Sequence, residues 1–250
     1  MIVLKSTTEL DAMDCANRVV HRALNAVRDA AAPGVNTAEL DTIAEELIRS
    51  EDGVPAFKGY RGFPATLCTS INDEIVHGIP SKKVRLSDGD LLSVDCGVIL
   101  DGFFGDAAIS FGVGHVNGQA ARLMNVTKRC LDDAVEQMGP GKRLGDISAA
   151  VQIHAEESGF GVVREFVGHG IGRSLHEEPQ VPNYGRAGRG QILKPGLVLA
   201  IEPMITTGSW RVKIDDDGWT ARTEDGKLAA HFEYSVAVTS DGHRVLGLEE

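Results

Sequence analysis

The chain has no apolar run approaching the ~20 residues with which a helix crosses a bilayer, so nothing in it reads as a membrane span. Its first residues, MIVLKSTTEL, also lack the long apolar core of a secretion signal, which leads to the expectation of a cytoplasmic protein. Cysteine is scarce. Cys15, Cys68, Cys96 and Cys130 are scattered without a C-x-x-C pair, which excludes a thiolate zinc ribbon and reads as reduced thiols rather than a disulfide framework. Basic residues are in deficit, 25 against 36 acidic ones, for a net charge of −11. Phosphate binding needs a basic surface, so nucleic acid is set aside as a specific partner. Low-complexity stretches and long linkers are missing too. What remains is ordinary for a globular chain: 42% of 250 residues are hydrophobic, enough for a core without staples.

Helical spacing appears twice, followed each time by strands. Ser6 and Glu9 have the spacing of a capping box, and Met13, Ala16, Val20, Leu24 and Val27 repeat after them on one helical face until Pro33-Gly34. Asn36 and Glu39 predict a second cap, with Leu40, Ile43 and Leu47 behind it, ending near Gly53. In the second half, Leu123, Val126, Cys130, Ala134 and Met138 predict a long helix broken by Pro140-Gly141. A further helix through Ile147, Ala150 and Val151 fades near Gly159. The shift that superimposes the two Pro-Gly breaks also carries DGDLLSVDC onto KPGLVLAIEP: Gly89 falls on Gly196, Leu92 on Leu199, Val94 on Ile201, and Asp95 on Glu202. The expected fold is therefore α+β, one catalytic domain over 1–250 built of two related halves, roughly 1–112 and 113–250, with its site between them.

The strands carry acids where acids are costly. LLSVD is an apolar run ending in a carboxylate, which needs a partner or a metal there. Asp101-Gly102 is a two-residue hairpin turn. It sets Leu100 opposite Phe103, Gly97 opposite Asp106 and Asp95 opposite Ala108, so that Asp95 and Asp106 are diagonal neighbours on one face, with side-chain-free Gly97 leaving room between them. Glu202 after LVLAI and Glu233 in AAHFEYSVAV lie in similar strand-like surroundings, and His169 sits in the glycine-flanked FVGHGIG. Each of these residues alone reads as a turn, cap or core residue; their joint placement carries the argument. Four carboxylates in one pocket repel, and two divalent cations would cancel their charge. Mostly oxygen ligands with one imidazole suit Mn, Fe(II), Co or Zn.

At these residues the sequence resembles the bacterial type I methionine aminopeptidases of the M24 metallopeptidases. The similarity runs through SINDEIVHGIP (70–80), SVDCGVILDGFFGDAA (93–108), FVGHGIGRSLHEEPQVPNYG (166–185), LKPGLVLAIEPM (193–204) and DGWTARTEDGKLAAHFEYSVAVT (217–239). The resemblance implies the pseudo-symmetric "pita-bread" fold of creatinase and the aminopeptidases, a central antiparallel sheet covered by helices, around a dinuclear site. It implies that Asp95 chelates one metal, that His169 and Glu202 hold the other, and that Asp106 and Glu233 bridge both. His77 and His176 match the family's two catalytic histidines, and Glu202 its general base. Tyr60, Phe63, Cys68, Leu175 and Trp219, with the two histidines, match the methionine pocket. The implied activity is cotranslational removal of the initiator methionine ahead of a small second residue. The implied partners are the N-termini of nascent chains, with transient ribosome association, no membrane and a monomeric state. Family enzymes of the X-Pro type and a non-catalytic binding module of the same fold are the alternatives. Four positions depart from the family's commoner pattern: Gly97 where Thr is frequent, Phe57 where some relatives have Cys, His231 where Gln is common, and Leu175 in place of an aromatic.

Overall fold

The computed structural model describes residues 2–248. Helix α1 (Thr7–Ala30) starts at the expected capping box: the Glu9 amide donates to Ser6 Oγ at 3.3 Å and the Ser6 amide to Glu9 Oε2 at 3.0 Å. Its buried face includes Met13, Ala16, Val20, Leu24 and Val27, the residues picked out by periodicity. Helix α2 (Thr37–Ser50) is capped by Asn36, whose side chain accepts from the Glu39 amide. Helix α3 (Gly118–Val135) is capped by Asn117, and α4 (Leu144–Glu157) follows the Pro140-Gly141 turn. Met138 lies beyond the end of α3, contrary to the expectation; it is fully buried all the same, because the turn that follows folds it under the helix pair.

Among the described residues, nine strands form the main sheet. Its order is Val54–Pro55, Leu91–Leu100, Phe103–Gly112, Glu233–Val238, Val198–Ile201, Gly168–Gly170, Glu177–Val181, all antiparallel, with Leu67–Ile71 also pairing with 91–100 and His243–Val245 with 233–238. Two small three-stranded sheets flank it, Ala229–His231 with Met204–Thr206 and Gly161–Val162, and Val212–Ile214 with Ala221–Thr223 and Glu74–Val76. One apolar cluster joins α1 and α2 to the 91–112 hairpin, through Val20, Leu24, Leu40, Leu92 and Val94; another joins α3 and α4 to the 198–201 and 233–238 strands, through Leu131, Ile147, Leu199 and Val236.

The two segments aligned by the Pro-Gly shift make matching hydrogen bonds. Gly89 and Gly196 both have left-handed backbone, φ 94° and 87°, a conformation that glycine adopts without steric cost. Gly89 N–H donates to Val113 O and Gly196 N–H to Val238 O, both at 2.9 Å. The returning amides of Val113 and Val238 donate to Asp90 O and Leu197 O, both at 2.8 Å. Among the described residues, no helix is long and apolar enough to cross a membrane.

Candidate metal centre and its cleft

Strand register brings the acids together. The 91–112 hairpin pairs as its turn predicts, Leu100 with Phe103, Gly97 with Asp106, Asp95 with Ala108. Asp95 lies within its strand rather than at the end, because pairing continues to Leu100. Ala108 also pairs with Glu233 on its other side, so Asp95, Ala108 and Glu233 form one row on one face, with Asp106 two residues along on the same face. Tyr234 pairs with Ile201, and one further step of that register sets Glu202, just past its strand, opposite Glu233. His169 pairs with Ala200, two residues before Glu202, and therefore joins the same face. Alanine at 108 and 200 leaves the space above the row to the carboxylates.

The side chains converge. Asp106, His169 and Glu233 are buried, with ligand atoms all within 4.8 Å of one another. His169 Nε2 is 3.6 Å from Glu202 Oε1 and 3.9 Å from Asp106 Oδ2, too far for hydrogen bonds. Its Nδ1 lies 2.9 Å from Gly170 O. A donor at Nδ1 fixes the tautomer that presents the Nε2 lone pair to the carboxylates. Asp95 Oδ1, Asp106 Oδ1 and Glu233 Oε1 are buried with no hydrogen-bond partner among the described residues. Among the described residues, the ion pairs of this cluster involve histidines only. Burial pushes the Asp95 carboxyl up to about 7, and burial with mutual repulsion holds Asp106, Glu202 and Glu233 well above the carboxylate range. Burial lowers His169 to about 4, keeping the imidazole neutral as a ligand must be. Orphaned acceptors, a neutral imidazole and no fixed cation are the donor set a divalent metal completes.

The cluster floors one end of a cleft of about 180 Å³. Every residue expected at the site as ligand, catalytic group or pocket wall lines it: the carboxylates and the imidazole of the cluster, His77, His176, Tyr60, Phe63, Cys68, Leu175 and Trp219. The rings interlock. Phe63 meets Trp219 edge-on at 5.1 Å, His77 meets Phe166 edge-on at 5.3 Å, and His176 lies 4.2 Å from His169. Tyr60 stacks on His176, its hydroxyl 2.8 Å from Nδ1. His77 has φ 62°, a left-handed conformation costly for a residue with a Cβ and typical of functional positions. Burial lowers His77 to about 4. The Cys68 thiol is pushed well above its usual range by burial and then by Asp95, so it is a wall of the cleft and not a nucleophile.

Phe57 and His231, met in the sequence as departures, also stand at the site, and the other contributors have no local signature in the sequence. Phe57 and Arg61 line the cleft. Asn17 on α1 accepts from the Asp106 amide at 3.2 Å and Ser235 Oγ donates to Asp106 O at 2.9 Å, holding that residue's backbone on both sides. Asn183 donates to Glu202 O at 2.9 Å. Arg222 bonds Asp215, Asp73 and Glu74 at 2.5 to 2.8 Å, tying the hairpin that bears Trp219 to the strand leading into His77. His231 Nε2 is buried, without a hydrogen-bond partner among the described residues, and 3.9 Å from Glu202 Oε2.

The space at Gly97 is not left to the carboxylates, as expected from the sequence. A Cβ at that position would lie 2.5 Å from Phe57 Cε1 and 3.0 Å from Ala56 Cβ, so the Phe57 ring occupies the room. The two departures at 57 and 97 thus explain each other. Gly97→Thr should destabilise the protein by about 1–3 kcal/mol through overpacking, and Phe57→Cys in the same chain should restore most of it. Urea unfolding of the two singles and the double checks this; additive losses would contradict the contact.

The model of metallopeptidase family M24 matches residues 11–240. The chain is 51% identical to the methionine aminopeptidase of Clostridium acetobutylicum, over 100% of both chains. It superimposes on the crystal structure of methionine aminopeptidase from Thermotoga maritima with a TM-score of 0.98 and 43% identity, again over 100% of both. The prolidase of Pyrococcus furiosus aligns with 99% of this chain and 66% of its own at a TM-score of 0.79, but at 22% identity that likeness is one of fold. The architecture is the pita-bread α+β fold these structures share.

Proposed function

The chain belongs to metallopeptidase family M24, and from that membership we infer that it is an aminopeptidase that hydrolyses the amide bond after an N-terminal methionine. The family is one of divalent-metal enzymes. The observation that carries the reading is the row of carboxylates with His169 Nε2 on one sheet face, opening directly onto a cleft walled by aromatic rings.

Two divalent cations would be held by Asp95, Asp106, His169, Glu202 and Glu233, with Asp106 and Glu233 shared. When bound, such cations supply Lewis acidity, which polarises a carbonyl and makes a water nucleophilic near neutral pH. The chain's own groups do the rest. Glu202, at the edge of the cluster and lining the cleft, is placed to take a proton from water and pass it to the leaving amine. With the Tyr60 hydroxyl donating to Nδ1 of His176, the proton of that ring sits on Nε2, which can donate to the oxyanion of the tetrahedral state. His77 lies toward Trp219, where it would contact the nitrogen side of the scissile amide. Tyr60, Phe63, Cys68, Leu175 and Trp219 enclose the methionine side chain. A nascent-chain substrate would place the work in the cytoplasm, beside the ribosome, with the protein acting as a monomer.

Selectivity tests this reading. Methionine is unbranched and polarizable, and it fits a narrow slot of rings with sulfur–aromatic contacts. A β-branched Val would crowd its own Cβ, and a Lys ammonium would be stranded without a partner. On the metal-reconstituted enzyme, kcat/KM for Met-Ala-Ser should exceed that for Leu-Ala-Ser by roughly 10–200-fold, the ~1–3 kcal/mol available to an apolar pocket. Norleucine should be tolerated, Ala-Pro peptides refused, and a bulky second residue penalised. Comparable values for Met-, Lys- and Val-initiated peptides would remove the assignment of the pocket.

A further inference from the structure

We infer that Lys5 is a positioning residue for His176, acting through Glu177 on the loop 172–177. The inference rests on the proposed role of His176 in turnover. Lys5 Nζ lies 2.6 Å from Glu177 Oε2, with only 4% and 15% of the two side chains exposed. A lysine so buried requires a partner, and Glu177 is the carboxylate it has. The same ammonium donates to Val3 O at 3.1 Å. The other carboxylate oxygen, Glu177 Oε1, accepts the amides of Arg173 at 2.8 Å and Ser174 at 3.3 Å. One carboxylate therefore closes the loop on itself and ties it to the N-terminal segment. His176 is the residue before it in the chain and Leu175 the one before that; both line the cleft.

The strut is built into the frame of the metal centre. Lys5 N–H donates to Gly196 O at 2.7 Å, and a Cβ at Gly196 would lie 2.5 Å from Lys5 O, so two backbones pass in contact at the root of the strand that delivers Glu202. At the other end of the loop, Phe104 N–H donates to Gly172 O at 2.8 Å, on the strand that bears Asp106. A Cβ at Gly172 would sit 2.4 Å from Lys5 Cε and 2.8 Å from Glu177 Oε1, so the aliphatic stem of Lys5 fills the inside of the turn. Lys5 thus sets the distance between His176 and the strands bearing Asp106 and Glu202. A misplacement near 1 Å at a reacting group costs up to ~10²-fold in rate.

The test is steady-state kinetics on the full-length, metal-loaded chain with Met-Ala-Ser, together with metal content by elemental analysis. Lys5→Met keeps the stem and removes the ammonium. It should lower kcat by about 10–100-fold with bound metal and KM little changed, and Lys5→Arg should recover most of the loss. A residue that acts through His176 has nothing left to position once that ring is gone, so Lys5→Met should add no further loss in a His176→Ala background. If Lys5→Met does not fold, Glu177→Gln, of the same shape, supplies the same cycle. Wild-type kcat in the Lys5→Met protein, or an equal further loss in the His176→Ala background, overturns the inference while leaving His176 its role. Wild-type kcat in His176→Ala alone overturns the role of His176 and the inference with it.

Discussion

Chelation of the bound metal should abolish peptide hydrolysis, and Mn, Fe(II) or Co should restore it. The cause is the makeup of the cluster: four carboxylates beside a neutral imidazole repel one another once ionised, and among the described residues no fixed cation stands with them. His169→Ala should lose metal and activity together, because its Nε2 is aimed at both Asp106 and Glu202 with its tautomer set by Gly170 O. The metal-free protein carries a second signature. Burial raises the Asp95 carboxyl from 3.8 to about 7 in the folded state. Folding then favours the protonated form, so the contribution of this group is complete below pH ~4 and is lost as pH rises through ~7. In metal-free protein the Tm of the wild type relative to Asp95→Asn should therefore fall across that window. Adding Mn should reverse the trend, since a cation binds the deprotonated ligands. Full turnover by rigorously metal-free enzyme would end the metal mechanism.

His176→Ala should reduce kcat by ~10²–10³, the usual loss on removing one transition-state donor, while the metal stays bound. The ring sits beside His169 at 4.2 Å and lines the cleft, yet takes no part in the carboxylate row. Tyr60→Phe keeps the stacked ring and removes only the hydroxyl at 2.8 Å from Nδ1, so its loss should run in the same direction and be smaller. Metal analysis beside the kinetics separates the roles. Metal lost from His176→Ala but kept in His169→Ala would reverse them.

The local code of this chain is legible in its residues. The caps at Ser6 and Asn36 rest on side chains bonding to amides three residues away, and the Asp101-Gly102 turn dictates the pairings of its hairpin. With that register Asp95 and Asp106 must share a face. The shift that relates Gly89 to Gly196 reappears as matched hydrogen bonds and matched left-handed backbone. The end of α3 before Met138 is not legible in the same way, since a buried residue in a turn repeats the helical period by chance.

What the sequence determined by itself is the set of candidate donors and, for Asp95 and Asp106, the face they share, because turn geometry and the two-residue period of a strand act over a few neighbouring residues. What only the tertiary structure decided is who stands beside whom. That Ala108 pairs with Glu233, that Phe57 fills the space above Gly97, that Arg222 ties Trp219 to the approach to His77, and that Lys5 braces the loop of His176 are contacts between segments distant in the chain. They follow from which apolar faces are buried against each other, a choice made by the whole core at once, and no single stretch of sequence contains it.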